Sequence, residues 1–488
     1  MRKAAIATAL ALLLALPACG GRTDEKARAA GITPANALGF LSVSLDPSIE
    51  QKRNLLSIAR RFPDAQVRDD FEENRDELLS TILREAGLDY ERDVKPWLGS
   101  ELAVAVLPGT SGPQPLVAVL IEQDDEDAAK AAIDKANAQA QADGGTPIAY
   151  RVLDDFVVAT DGADQALAQQ TLDAFTAQAE RDEGDLSRSK EFADVVDQLH
   201  GDRLLLGWVD GKEAMRVIGQ FLDAGDFPVE GLVQQATTAA FDVHAARSAV
   251  VLEAVGRSTA EGRTGKPALT EGLPQGSYGA FTIFDIGQTL REGLRAVFGT
   301  GGDPLAELRR QTGIDVERDL LSWMGGESVL VAAPGPTGQA FPQVGLVVEP
   351  TDRAAAEAAV PRLRQALQGL GSAIGGGVQP AIGLFDDRVV IASSPAYMEQ
   401  LSRDATPSFG ESDVYRSVLG EQSSDATRMQ FVLDIDAIRA TFEAFMPASD
   451  RTEYEQETKR NVEPFDAVGL VFHRDGDFDR VELTVTFD

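Results

Sequence analysis

One block of this chain occurs twice, and that repeat limits the fold more than any other feature. Gly87-Leu-Asp89-Tyr-Glu91-Arg92-Asp93 leads into Trp97-Leu-Gly99-Ser-Glu101 and an apolar run. Gly313-Ile-Asp315-Val-Glu317-Arg318-Asp319 leads into Trp323-Met-Gly325-Gly-Glu327 and another apolar run. Eight positions agree at one constant spacing. The likeness continues from Pro115–Glu122 to Pro342–Glu349, and from Val152–Val158 to Leu384–Val390. Leu206–Asp210 aligns more loosely with Gln430–Asp434, and each half closes on two strand-like runs with a histidine near the turn, His244 and His473. A repeat this long is a duplicated domain and not a solenoid unit. The joint falls in Gly256–Gly272, rich in Gly, Thr, Ser and charge and without apolar periodicity.

Within a half the pattern alternates helices and strands. Asp46-Pro47 and Asp303-Pro304 read as N-caps with proline in the first turn. Val67, Phe71, Leu78, Ile82 and Leu83 form a helical stripe that stops at Gly87, and Gly313 ends its counterpart. Glu101–Leu107 and Leu116–Ile121 read as strands joined by a loop. Asp124–Asp127 places negative charge on the first turn of a helix ending near Ala142, where the helix dipole favours it. Ile148–Leu153 and Phe156–Thr160 form a hairpin across Asp154-Asp155. Strands joined by tight turns are antiparallel. The expected fold is α+β: two homologous halves, each an antiparallel or mixed sheet with helices mainly on one face.

The N-terminus carries a second strong signal. Met1-Arg2-Lys3 is followed by an apolar run, Ala4–Leu16, then Leu16-Pro17-Ala18-Cys19. The run is too short for a transmembrane helix and has the layout of a secretory signal. It resembles a bacterial lipoprotein signal peptide, in which the cysteine becomes the acylated first residue of the mature chain. Cys19 is the only cysteine, so acylation leaves no thiol for a disulfide, a thiolate metal site or a nucleophile. The expected organisation is a signal peptide at 1–18, lipidated cysteine and tether at 19–32, a first repeat at 33–256, a linker at 257–272 and a second repeat at 273–488.

Charge excludes some partners. Asp and Glu number 78 against 45 Lys and Arg, a net charge of −33 spread along the chain. Such a surface repels phosphate backbones and anionic headgroups, so no nucleic acid partner is expected. Hydrophobic residues at 43% suffice for a packed core without disulfides.

The doubled Gly-x-Asp-x-Glu-Arg-Asp…Trp-x-Gly-x-Glu blocks, with Thr33-Pro34-Ala35 and Leu273-Pro274-Gln275 ahead of each half, resemble an uncharacterised family of bacterial extracytoplasmic lipoproteins classed as a domain of unknown function. The resemblance covers most of the mature chain. It implies an envelope protein of unknown activity and brings no catalytic or binding residues.

Trp97/Glu101 and Trp323/Glu327 offer an apolar platform beside a carboxylate of raised pKa, as a glycosidase or ligand clamp needs. The same residues equally suit a core tryptophan and a glutamate that starts a strand or caps a helix, and their duplication favours that reading. Asp89, Glu91, Arg92 and Asp93 read as an ion-pair and capping network. His200, His244 and His473 lie far apart, without the spacing of a helical zinc pair. Asp475-Gly-Asp477-Phe-Asp479 lacks the later ligands of a calcium loop and reads as a charged hairpin turn. Ser187-Arg-Ser-Lys190 lacks the companions of a penicillin-recognising site, and Gly262–Lys266 lacks the first P-loop glycine. Gly375–Gly377 has no dinucleotide fingerprint.

The sequence therefore leads us to expect a membrane-anchored, non-enzymatic binding or scaffold protein of the bacterial cell envelope, with no catalytic residue, metal or cofactor. Its partners would be the membrane, through acylated Cys19, and an envelope protein or apolar ligand. The other readings are a carrier of an apolar ligand or lipid, for which the small residues Ala103, Ala105, Ala118 and Gly345 would line a cavity, and a carboxylate-dependent hydrolase using Glu101 or Glu327.

Overall fold

A computed structural model describes residues 27–63, 67, 70–85, 87–109, 114–181, 183–214, 237–257, 262–291, 309–310, 313–336, 341–374, 379–420 and 422–488. The signal segment, Cys19, Asp303-Pro304 and Gly375–Gly377 lie outside the described residues. The chain divides into two compact units, one ending at Thr259 and one beginning at Ala260.

The first unit holds strands β1 (Gly39–Ser44), β2 (Leu98–Leu107), β3 (Leu116–Gln123), β4 (Ile148–Leu153), β5 (Phe156–Asp161), β6 (Leu205–Asp210), β7 (Thr238–Ala246) and β8 (Ala249–Arg257). They lie in the order β4-β5-β3-β2-β1-β6-β7-β8. The second unit holds β9 (Gly279–Phe284), β10 (Glu327–Ala333), β11 (Gln343–Val348), β12 (Ala381–Leu384), β13 (Val389–Ala392), β14 (Thr427–Asp434), β15 (Phe465–Asp475) and β16 (Phe478–Phe487). Their order is β12-β13-β11-β10-β9-β14-β15-β16, the same topology strand for strand. Neighbouring strands within each unit pair antiparallel. The α+β class with two homologous halves holds, and each sheet is antiparallel.

In each half the first strand lies centrally, between the second strand and the sixth. Register shows the equivalence: Ser42 of β1 faces Ala103, two residues beyond Glu101. Thr282 of β9 faces Val329, two beyond Glu327. In the second unit, one face of the sheet packs against Tyr397 and Leu401 of the helix Pro395–Leu401 and against Tyr415 and Val418 of the helix Asp413–Val418. The opposite face, at Val348, Ile382 and Val389, is covered by Ala356, Ala359, Val360 and Leu363 of the helix Arg353–Ile374, so helices pack on both faces and not mainly on one. Trp323 completes that second layer and is fully buried. Trp97 does the same in the first unit, against Ala129, Ala132 and Ile133 of the helix Glu126–Ala142.

Local chemistry explains most of the boundaries. Asp125 caps the helix Glu126–Ala142 by accepting from the Ala128 amide at 3.0 Å. Gly87 and Gly313 both adopt left-handed φ, +74° and +72°, where a side chain would be strained. The hairpin across Asp154-Asp155 is present, with Asp154 at φ 49°. At Asp46-Pro47 the structure corrects the expectation. Ser48 is the N-cap of the helix Ile49–Ala59, accepting from the Gln51 amide at 3.1 Å, while the Asp46 carboxylate pairs with Lys52 at 2.7 Å.

Segments read from composition as tether and linker also carry folded turns. Arg28–Gly31 forms a short 3-10 helix with Ala29 and Ala30 buried. Ala268–Glu271 forms its counterpart with Leu269 and Thr270 buried. Both are held by a distant glutamate, an attachment invisible to composition.

Burial of the two tryptophans sets a prediction. Trp97→Ala and Trp323→Ala should each destabilise their own half by about 3–5 kcal/mol, read from urea denaturation. A loss below about 1 kcal/mol at either position would mean that the tryptophan does not hold its layer.

Candidate functional site

The doubled block folds into a doubled network. Asp89 accepts from the Arg92 amide at 3.0 Å, and the Asp93 carboxylate accepts from the Asp89 amide at 2.9 Å. Asp315 and Asp319 repeat both bonds, at 3.2 and 3.0 Å. The indole N–H of Trp97 donates to the Asp93 carbonyl at 2.7 Å, and that of Trp323 to the Asp319 carbonyl at 2.9 Å. Each aspartate also takes a cation from the covering helix: Lys135 at 2.5 Å for Asp93, Arg362 at 2.7 Å for Asp319. Hydrogen bonds from Arg92 and Arg318 hold the two carboxyls below the usual carboxylate range. Gly99 is required by close approach, since a Cβ there would lie 2.6 Å from the Glu122 side chain.

Glu101 and Glu327 serve equivalent purposes. Glu101 accepts from the Ala29 amide at 3.1 Å and from the Ser42 hydroxyl at 2.5 Å. Glu327 accepts from the Leu269 amide at 2.8 Å and from both the amide and the hydroxyl of Thr270 at 3.0 Å. Each buried carboxylate thus binds the orphan amides of the short turn that opens its half. The halves differ in what surrounds the clamp. Arg28 pairs with Glu122 and, at 2.8 Å, with Asp155. At the place of Arg28 the second half has Ala268, and Glu349, the counterpart of Glu122, accepts from the Glu327 amide at 3.2 Å. Burial pushes the Glu101 carboxyl up. Burial, with Glu349 adding to it, pushes Glu327 up to about 7. Both carboxylates are engaged by backbone amides and hydroxyls.

A different cluster occurs in the first half alone. Asp242 and His244 alternate on β7, so both side chains leave the same face. His244 Nδ1 lies 2.8 Å from the Asp242 carboxylate, which also accepts from the His200 amide at 3.1 Å. The His200 ring stacks on His244 with centroids 4.4 Å apart and planes at 21°. His200 Nδ1 lies 3.1 Å from the Asp202 carbonyl. The surrounding shell is tied down. Gln51 donates to that carbonyl at 3.2 Å and accepts from the Ala245 amide at 2.7 Å, while Asn54 donates to the Ala245 carbonyl at 2.7 Å. Ser48 donates to the Asp202 carboxylate at 2.7 Å.

The sequence missed this pairing because His200 and His244 meet across the sheet from separate segments. The Asp-x-His alternation on a predicted strand was the available signal. In the second half, register matches Asp242, opposite Leu206, with Val471, opposite Gln430. His473 takes the place of His244, and burial and the nearby Arg480 push its pKa down.

The other candidates occupy turns and helix starts. Ser187 and Lys190 flank a helix start: Ser189 caps Phe192 at 3.2 Å and Lys190 pairs with Asp194 at 3.1 Å. Asp475–Asp479 forms the β15–β16 turn, with Gly476 at φ +59° and Arg474 paired to Asp479 at 3.1 Å. The Gly265 amide donates to the Thr427 carbonyl. Among the described residues no helix is long and apolar enough to cross a membrane.

The raised Glu327 pKa has a definite sign. A carboxyl near 4.5 when unfolded and about 7 when folded keeps its proton longer in the native state. Its contribution is therefore full below about pH 4.5 and lost as pH rises through about 7. Glu327→Gln should cost most at acid pH, with the difference from wild type shrinking by as much as about 3 kcal/mol between pH 4.5 and 8 in denaturation curves. A difference that does not vary with pH contradicts this.

No functionally curated protein matches the chain. A solved structure described as "Structure of crystal form I of TP0453" aligns with 48% of this chain and 79% of its own, at 11% identity and a TM-score of 0.23; a likeness that slight carries no argument. Residues 4–206 and 299–477 match one family model, most of both halves. The chain belongs to the family described as "Protein of unknown function (DUF3352)".

Proposed function

We propose that the chain is a lipid-anchored protein of a bacterial cell envelope that works by binding and not by catalysis. Cys19 carries this reading: the only cysteine stands directly behind Leu16-Pro17-Ala18 at the end of an apolar run too short to span a bilayer. Two or three acyl chains hold a protein firmly, at roughly 0.8 kcal/mol per buried methylene. The first folded turn begins at Arg28, so the stretch from Cys19 reaches at most roughly 30 Å and keeps the first half near the membrane. Net charge of −33 argues that lipid, and not surface electrostatics, holds it there.

The carboxylates support a binding role, because each is consumed by its clamp in a half that repeats it. The small strand residues weaken the carrier reading. A Cβ at Gly345 would lie 2.3 Å from Leu401 Cδ1, and Ala103, Ala105 and Ala118 are fully buried, so they serve close packing.

Native mass spectrometry of protein extracted from its own membranes tests the proposal. The expected species begins at Cys19 and carries acyl mass, and Cys19→Ser abolishes both the modification and membrane retention. A wild-type species without acyl mass contradicts the anchor. An additional apolar mass lost on denaturation favours the carrier. Glu101→Gln and Glu327→Gln should alter thermal stability and leave any assayed activity unchanged; loss of a hydrolytic activity with intact stability would reinstate the enzyme.

A further inference from the structure

We propose that the helical segment between β14 and β15 is a docking groove for a cationic amphipathic helix of a partner protein. It comprises the helix Ile435–Phe445 and the short helical turns Ala448–Glu453, Tyr454–Thr458 and Lys459–Val462, none of which has a buried residue. Ile438, Phe442 and Phe445 recur at i, i+4 and i+7, so they share one face of the helix. That face is bare, with the three side chains 37%, 58% and 45% exposed. They are three of the ten large apolar side chains left exposed among the described residues. Scattered single ones need no explanation, but a contiguous ridge does. Phe442, Phe445 and Met446 form one wall of an open groove of about 600 Å³, and Asp450, Glu453 and Glu457 stand along the other.

Charge selects the occupant. No Lys, Arg or His lines the groove. The cations of the segment are turned elsewhere. Arg439 donates to the Val462 and Glu463 carbonyls at 3.2 and 2.8 Å, Arg451 to the Glu443 carbonyl at 3.1 Å, and Lys459 to the Glu443 carboxylate at 3.1 Å. Tyr454 donates to the same carboxylate at 3.1 Å, and Asp434 caps the helix through the Ala437 amide at 2.7 Å. The walls are thus held without a ligand, which spares the ordering cost of binding. Among the described residues no cation pairs with Glu453 or Glu457, and Asp450 takes only the Ser449 hydroxyl. A second copy of this chain, at net charge −33, would bring more acid to that wall, and an anionic bilayer would bring phosphate. A helix whose apolar stripe is flanked by Lys or Arg satisfies both walls at once, the stripe on the phenylalanines and the cations against the carboxylates. This surface goes beyond the anchoring role and stands whether or not Cys19 is acylated.

The probe is a fluorescein-labelled helical peptide of leucine and lysine with its leucines on one face. It is titrated by anisotropy against full-length protein in phosphatidylcholine nanodiscs, with empty discs as the blank. Wild type should bind it saturably. Phe442→Ser and Phe445→Ser should each weaken binding about ten-fold, the loss expected of an anchor side chain, with an unchanged melting curve. Glu453→Lys should weaken it about five-fold at low salt. Glu399→Lys, the same charge change at an exposed position outside the groove, should weaken it less than about two-fold. If Phe442→Ser loosens the segment through its ring contact with Tyr454, Phe445→Ser decides the matter. The proposal is overturned if wild type does not bind, if Phe445→Ser binds as wild type, or if Glu399→Lys costs as much as Glu453→Lys, because general electrostatics then holds the peptide. It is equally overturned if Phe445→Ser dissociates a dimer in sedimentation, which gives the face to a second copy. Binding of Cys19→Ser protein to phosphatidylglycerol vesicles that Phe445→Ser abolishes would give the face to the membrane, and would overturn it too.

Discussion

Each half depends on one buried carboxylate reaching back to the turn that opens it. Glu101 and Glu327 sit on the second strand of their sheets and bind amides 57 to 72 residues earlier. Burying a carboxyl is costly unless its lone pairs are used, and here they meet groups that would otherwise be orphaned at a helix start. The clamp joins a local turn to the centre of the sheet, because Ser42 and Thr282 belong to β1 and β9. Ser42 bonds Glu101, and Thr282 pairs with Thr270 beside Glu327. The neighbouring Asp/Trp network then seats the covering helix on the opposite layer. Carboxylates that look like catalytic candidates in sequence therefore act as backbone ligands.

Duplication separates scaffold from function. Whatever both halves keep at equivalent positions answers to the fold, as the Trp, Gly, Asp and Glu of the repeated block do. What one half has and the other lacks answers to something else. The stacked histidines over Asp242 are of that second kind, and Val471 shows that the strand is built without a carboxylate at this position. Truncating Asp242 would leave two nitrogen donors without their acceptor.

The repeat and most strands were legible because tight turns, buried alternation and close-approach glycines leave strong marks. Asp125 and the Asp154-Asp155 turn are visible from local chemistry alone. Long-range attachment left no such mark. Arg28–Gly31 and Ala268–Glu271 resemble tether and linker until Glu101 and Glu327 are known to hold them. Asp46 reads as the cap in sequence, but Ser48 takes that place and Asp46 pairs with Lys52. The histidine pair was the least legible feature, because β7 and the segment before β6 are neighbours in the sheet and strangers in sequence.

Native-state hydrogen exchange on wild type and Glu327→Ala tests the clamp most directly. The account predicts that amides of Ala268–Glu271 and of β9 lose protection together, while Arg28–Gly31 and β1 in the other half keep theirs. Unchanged protection at Leu269 and Thr270 in the variant would contradict it, and the second half would then owe its order to packing alone.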